Sequence, residues 1–229
     1  MKKFFVLALS FAVMATSVFA QGQKKYSDHY YKRTAQFEQE RPVNPNDIIM
    51  LGDSLTEGGD WSSLFAGWLP EGTSVVNRGI VGDDAPGIYD RLHQILPGKP
   101  KKIFLLVGVN DISHQITADS VLTDIEKVVK EIRRQCPKTK LHIQSLLPYN
   151  FEKCIYKTMN KEDKTPVIMD VNKGLKKMAR KYNVKFIYLY DRFTAPGSLH
   201  MDGQFTKDGL HINKAAYEIW ANALKKYVK

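Results

Sequence analysis

Four residue types that acyl transfer needs stand at the ends of apolar runs in this 229-residue sequence. Ser54 lies in Gly52-Asp53-Ser54-Leu55, and Gly79 in Asn77-Arg78-Gly79-Ile80. Asn110 lies in Gly108-Val109-Asn110-Asp111, and His211 in Asp208-Gly209-Leu210-His211. A serine hydroxyl is a weak nucleophile until a base takes its proton. Asp208, three residues before His211, can hold the imidazole through Nδ1 and leave Nε2 facing outward as that base. A tetrahedral oxyanion needs fixed donors, which the Asn110 amide and backbone N–H groups at Ser54 and Gly79 can supply.

Each feature has a plainer reading. Ser54 could be a helix N-cap, Asp208 could cap the last helix, and Asn110-Asp111 could be a turn. Asp53, Asp83, Asp111 and His211 could instead ligate a metal. His93, His114, His142 and His200 lack a comparable companion nearby in sequence and read as structural or surface residues. All four types falling on one edge of one sheet favours serine catalysis over a metal site.

That edge follows from the elements. Ile48–Leu51, Ser74–Asn77, Ile103–Val107, Leu141–Leu147 and Val184–Tyr190 are short apolar runs, each stopped by Gly, Pro or Asp. Such runs are strands buried on both faces. Between them, Val121, Ile125, Val128, Val129 and Ile132 repeat at helical spacing. So do Val167, Val171, Leu175, Met178 and Tyr182, and finally Ala216, Ile219, Trp220 and Leu224. Alternating strands and helices predict an α/β fold with a parallel sheet covered on both sides. Ligands of such sheets bind beyond the carboxyl ends of the strands, where the reactive residues gather. The absence of Gly-x-Ser-x-Gly argues against an α/β-hydrolase elbow.

Residues 1–20 have a charged start, an apolar stretch and a small residue at Ala20, the pattern of a cleavable signal peptide. The expectation is a periplasmic or secreted protein with no stable membrane anchor after cleavage. Residues 21–45 form a polar arm with a helix over Asp28–Glu40, ended by Arg41-Pro42. Residues 46–229 form the main domain. The formal charge of +10 comes from 34 Lys+Arg against 24 Asp+Glu. These cations are scattered over helix faces rather than run together, which reads as a solvated surface and not a nucleic-acid site. Two cysteines, Cys136 and Cys154, could bridge in an oxidising compartment, but nothing demands it.

The four blocks, in their order and spacing, resemble the GDSL esterase/lipase family, also called SGNH hydrolases, from about Ile48 to Trp220. The resemblance implies a three-layer α/β/α, flavodoxin-like domain with about five parallel strands. It implies catalytic Ser54, Asp208 and His211, an oxyanion hole of Ser54, Gly79 and Asn110, and no cofactor or metal. Gln144-Ser145-Leu146-Leu147-Pro148 and Asn77-Arg78-Gly79-Ile80 look like the acetyl-esterase branch, similar to platelet-activating-factor acetylhydrolase and linked to sialic acid and other sugar O-acetyl groups. Val81 stands where relatives often carry a second glycine, and is expected to narrow the pocket floor. The segment Tyr149–Lys164 has no pattern assignable to a substrate.

The reading is therefore a serine esterase acting on a small-molecule or glycan ester, with short acyl groups, acetyl foremost, on sugars. The alternatives are a lipid acyl hydrolase or thioesterase, and a carbohydrate-binding domain that has lost catalysis.

Overall fold

The computed structural model describes residues 25–229; the segment read as a signal peptide lies outside the described residues. Five strands, β1 (Asp47–Gly52), β2 (Ser74–Gly79), β3 (Lys102–Leu106), β4 (Lys140–Gln144) and β5 (Lys185–Ile187), form one sheet in the order β2-β1-β3-β4-β5. Every neighbouring pair is parallel. This is the doubly wound order whose strand direction of travel reverses beside β1, so a crevice opens beyond the carboxyl ends of β1 and β3.

The alternation of side chains along each strand builds a core on both faces. Ile49, Leu51, Ile103 and Leu105 pack with Ala85 and Ile88 of α4 (Ala85–Asp90), Val121 to Ile132 of α6 (Ala118–Gln135) and Ile168 to Met178 of α7 (Thr165–Lys181). Ile48, Met50, Phe104 and Leu106 pack with Trp61 of α3 (Trp61–Leu64) and with Trp220 and Leu224 of α8 (Lys214–Val228). Trp61 and Trp220 meet edge to face, with ring centroids 4.9 Å apart. The sequence expectation of a three-layer α/β/α domain describes this arrangement.

The N-terminal helix α1 (Asp28–Gln39) starts at Ser27, whose hydroxyl accepts from the Tyr30 N–H, and buries Tyr30 and Phe37 against Ile80. Two strands are shorter than their apolar runs. β4 ends at Gln144 because the Leu146 N–H donates to Asn172 Oδ1 at 2.7 Å instead of to a strand neighbour. β5 ends at Ile187 because the Leu189 N–H donates to the Ser145 hydroxyl at 2.9 Å, after which Tyr190–Arg192 forms a single tight turn. Cys136 and Cys154 are both buried free thiols, so they do not bridge. Among the described residues, no helix is long and apolar enough to cross a membrane.

Candidate active site

Ser54 is the first residue of α2 (Ser54–Glu57), a single turn that begins immediately beyond β1. Asp53 is its N-cap, its carboxylate accepting from the Leu55 N–H at 2.9 Å. Asp53 is fully buried, and that burial pushes its carboxyl up to about 7. Ser54 itself is almost buried, and its own N–H, at the first helical position, has no intrahelical acceptor.

His211 arrives from the opposite end of the chain. Its Nε2 lies 2.9 Å from Ser54 Oγ, and its Nδ1 lies 2.7 Å from Asp208 Oδ2. The segment carrying them is not the start of the last helix, because Asn213 is the N-cap of α8. Asp208 Oδ1 accepts the N–H groups of Leu210 and His211 at 3.0 and 2.8 Å, which closes a turn around its own carboxylate. Burial alone would raise the Asp208 carboxyl. The hydrogen bonds from His211, from those two N–H groups and from Tyr156 outweigh it and hold the group well below the usual carboxylate range. Asp208 is therefore ionised and acceptor-only, which fixes the proton of a neutral His211 on Nδ1 and leaves the Nε2 lone pair for Ser54.

The donors expected for the oxyanion are only partly where the sequence reading put them. Asn110, in α5 (Val109–Ser113) beyond β3, donates from Nδ2 to the Asp83 carbonyl at 2.8 Å, which uses one of its two amide hydrogens. Gly79 is a correction. Its single N–H donates to Asn77 Oδ1 at 2.9 Å, so it has nothing left to offer an oxyanion. Its glycine identity serves packing instead, since a Cβ there would collide with the backbone of Glu57. The N–H groups that follow are also committed: Ile80 to the Gly52 carbonyl at 3.1 Å, Val81 to Glu57 Oε2 at 2.6 Å and Asp83 to the Ile80 carbonyl at 3.1 Å. Gly82, with φ +77, is the one position of this turn whose N–H has no partner among the described residues. Val81, expected to narrow the pocket floor, has an exposed side chain and lines the cavity beside this turn.

Buried charge holds that turn in place. Arg91 Nε donates to Asp83 Oδ2 at 2.8 Å and Nη2 to the Gly52 carbonyl at 3.1 Å, and both side chains are buried. Burial pushes the Asp83 carboxyl up to about 6 despite the opposing Arg91 charge. Asp111 is wholly buried, receives the Ala85 N–H at 3.2 Å, and is pushed up to about 7, chiefly by burial. Asp53, Asp83 and Asp111 are thus each engaged with separate partners. Among the described residues no group of three or more His, Cys, Asp and Glu is placed to hold a metal ion.

Three participants were not found from sequence. Tyr156 places its hydroxyl 3.0 Å from both Asp208 Oδ2 and His211 Nδ1. Glu57 ties the Val81 turn to His29 of α1, at 3.0 Å. Arg91 joins β1 to the same turn. Tyr156 and His29 sit in stretches without a motif, whereas Gly82 lies three residues after Gly79 in a loop whose donor role the sequence reading gives to Gly79 alone. His200, read as having no companion, pairs through Nε2 with Asp163 Oδ2 at 2.9 Å, a carboxylate too far along the chain to be recognised from spacing.

A cavity of about 450 Å³ adjoins the turn, lined by Tyr26, His29 and Tyr30 from the N-terminal side and by Gly82, Asp84 and His114. Neither this cavity nor a larger one of about 820 Å³ between α3 and α8, lined by Trp68 and Tyr217, includes Ser54, Asp208 or His211 in its walls.

Residues 50–219 match the GDSL-like lipase/acylhydrolase family. The chain is 22% identical over 214 residues to the alpha1 subunit of platelet-activating factor acetylhydrolase IB from Rattus norvegicus, covering 89% of this chain and 82% of that one. It is similar to the structure of a candidate platelet activating factor from Streptococcus pneumonia, with TM-score 0.76 and 27% identity over 88% of this chain and 93% of that one. It shares its fold with an acetyl-xylooligosaccharide esterase from Geobacillus Stearmophilus, with TM-score 0.66 and 17% identity over 82% and 96% of the two chains.

Proposed function

The chain belongs to the GDSL-like lipase/acylhydrolase family, an esterase family, and from that premise we propose that it is a serine esterase that removes acetyl groups from sugars. The observation that carries the catalytic part is the unbroken hydrogen-bonded chain Ser54 Oγ, His211 Nε2, His211 Nδ1, Asp208 Oδ2.

Ser54 Oγ attacks the ester carbonyl as its proton passes to His211 Nε2, and the Asp208 carboxylate supports the imidazolium so formed. The carbonyl π electrons move onto oxygen. The Ser54 N–H, the Gly82 N–H and the second Asn110 amide hydrogen are the donors proposed for that oxyanion, with Gly82 in the place first given to Gly79. The C–O bond to the alcohol then breaks, and the alcohol leaves with the proton from Nε2. Water repeats the sequence on the acyl-serine, which releases the acid and restores Ser54.

The acetyl part rests on the relatives. The Rattus norvegicus and Geobacillus Stearmophilus proteins have different substrates in their names, and acetyl is what those names share. The sugar part is favoured by the cavity beside Gly82, where the stacked rings of Tyr26 and Tyr30 adjoin His29, Asp84 and His114. Aromatic faces next to hydrogen-bonding groups suit a sugar ring. Export remains part of the proposal through the pattern of residues 1–20.

Hydrolysis of p-nitrophenyl esters of increasing chain length, alongside acetate release from acetylated xylo-oligosaccharide, tests the substrate. Turnover confined to short chains, with acetate released from the sugar, is expected. A preference for long chains would instead make it a lipid acyl hydrolase.

A further inference from the structure

We infer that Tyr156 is a positioning residue of the esterase, holding the Asp208–His211 pair in its reactive geometry through its hydroxyl. The inference rests on the catalytic reading above and adds a fourth member to it.

The three polar atoms form a closed triangle. Asp208 Oδ2 and His211 Nδ1 are 2.7 Å apart, and Tyr156 Oη is 3.0 Å from each. The ionised Asp208 carboxylate can only accept, so the phenol proton goes to Oδ2. The phenol oxygen then turns its lone pairs toward Nδ1–H, as a second acceptor beside the carboxylate. Two acceptors on one N–H hold the ring in a single tautomer and a single tilt, with Nε2 aimed at Ser54. The Tyr156 ring also stands edge-on to the imidazole, with centroids 5.7 Å apart. Burial first, and then the Asp208 contact, push the phenol up to about 12, so it keeps its proton at neutral pH and stays a donor.

The segment that delivers Tyr156 is locked to the segment it serves. The Asn150 N–H donates to the Gly209 carbonyl at 2.7 Å, and the Ile155 N–H to the Asp208 carbonyl at 3.1 Å. Gly209, at φ +84, lies so close to Cys154 that a Cβ would strike its backbone. Asn160 Nδ2 closes the loop on the Cys154 carbonyl at 2.9 Å. The stretch Tyr149–Lys164, which carries no substrate pattern, is thereby a clamp across the catalytic turn. The titratable and polar groups facing Asp208 and His211 are Tyr156 and the Cys154 thiol from this clamp, Thr206 from the preceding turn and Ser54 from α2. Cys154 is held as a neutral thiol, chiefly by burial.

Removing the phenol proton from Oδ2 leaves the carboxylate charge more fully on His211, which favours the imidazolium. Tyr156→Phe, which keeps the ring on His211, should therefore move the acid limb of the kcat/KM profile for p-nitrophenyl acetate to higher pH. It should also lower kcat roughly tenfold, the rate equivalent of one hydrogen bond, with KM changed less than about twofold. Ser54→Ala is measured in parallel. If Ser54→Ala is inactive and the acid limb of Tyr156→Phe stays in place, the inference is overturned while the catalytic reading stands, whatever happens to kcat. If Ser54→Ala retains turnover, the catalytic reading itself falls, and the role of Tyr156 falls with it.

Discussion

Asn110 Nδ2 donates to the Asp83 carbonyl at 2.8 Å, joining the turn beyond β3 to the turn beyond β2. One amide hydrogen thus braces the Gly82 turn, and the other is the donor proposed for the substrate oxyanion. Asn110→Ala should lower kcat by roughly 10²–10³, the usual loss for one oxyanion donor. A fluorophosphonate should still label Ser54 in that variant, more slowly, because His211 remains. His211→Ala should lose both turnover and most labelling. Equal loss of labelling in the two folded variants would mean that Asn110 positions Ser54 itself.

Asn77 braces the nucleophile from the other side. Its Nδ2 lies 3.0–3.1 Å from the carbonyls of Thr56, Glu57 and Gly59, and its Oδ1 accepts the Gly79 N–H. Asn77→Ala should destabilise the fold by about 1–3 kcal/mol, the cost of leaving such groups unpaired. At roughly 2–4 °C per kcal/mol for a domain of this size, calorimetry should show Tm several degrees lower. An unchanged Tm would show that these bonds add nothing to the fold.

The buried pair Asp83–Arg91 should behave as a structural pin of the same turn. Arg91→Met removes the cation but not the buried carboxylate, and should cost about 3–5 kcal/mol in urea unfolding at pH 8. Asp83→Asn with Arg91→Met should recover part of that loss, since no charge is then left alone. A double variant no more stable than Arg91→Met would contradict the pairing argument.

Asp111 gives the pH dependence a definite sign. Its carboxyl is raised from 3.8 to about 7 in the folded protein, so the fold favours its neutral form. The associated stability is complete below about pH 4 and is lost as pH rises toward 7, at up to about 1.4 kcal/mol per pH unit. Asp208 works in the opposite direction, its contribution present above pH 4 and lost as pH falls below it. Asp111→Asn keeps an acceptor for the Ala85 N–H and removes only the first dependence. The stability of the variant relative to wild type should therefore rise from pH 5 to pH 8. A difference that does not change with pH would contradict the assignment.

The parts of this arrangement that could be read from sequence are those carried by short-range chemistry. Ile103 to Val107 announced β3 because a strand covered on both faces needs unbroken apolar character. Asp208 and His211 were legible as a pair because three residues of one turn join them, and Ser54 from the block at the end of the β1 run, although the contact of His211 with Ser54 spans 157 residues. Gly79 misled because a glycine at a strand end can serve either a donor or a tight contact, and only the Asn77 bond distinguishes them. Tyr156 was not legible, since what brings it to Asp208 is the backbone bonding of Asn150 and Ile155 to a turn more than fifty residues later. The lengths of β4 and β5 were overestimated for a similar reason. Asn172 and Ser145 intercept strand N–H groups through side chains, and hydropathy does not report that.

The most direct test of the catalytic claim is peptide mapping by mass spectrometry after reaction with a fluorophosphonate, with Ser54→Ala assayed for turnover in parallel. Label on the peptide carrying Ser54 and on no other, together with a loss of several orders of magnitude in kcat for a folded Ser54→Ala, is the predicted result. Label on a different serine, or near-normal turnover without the Ser54 hydroxyl, would contradict it.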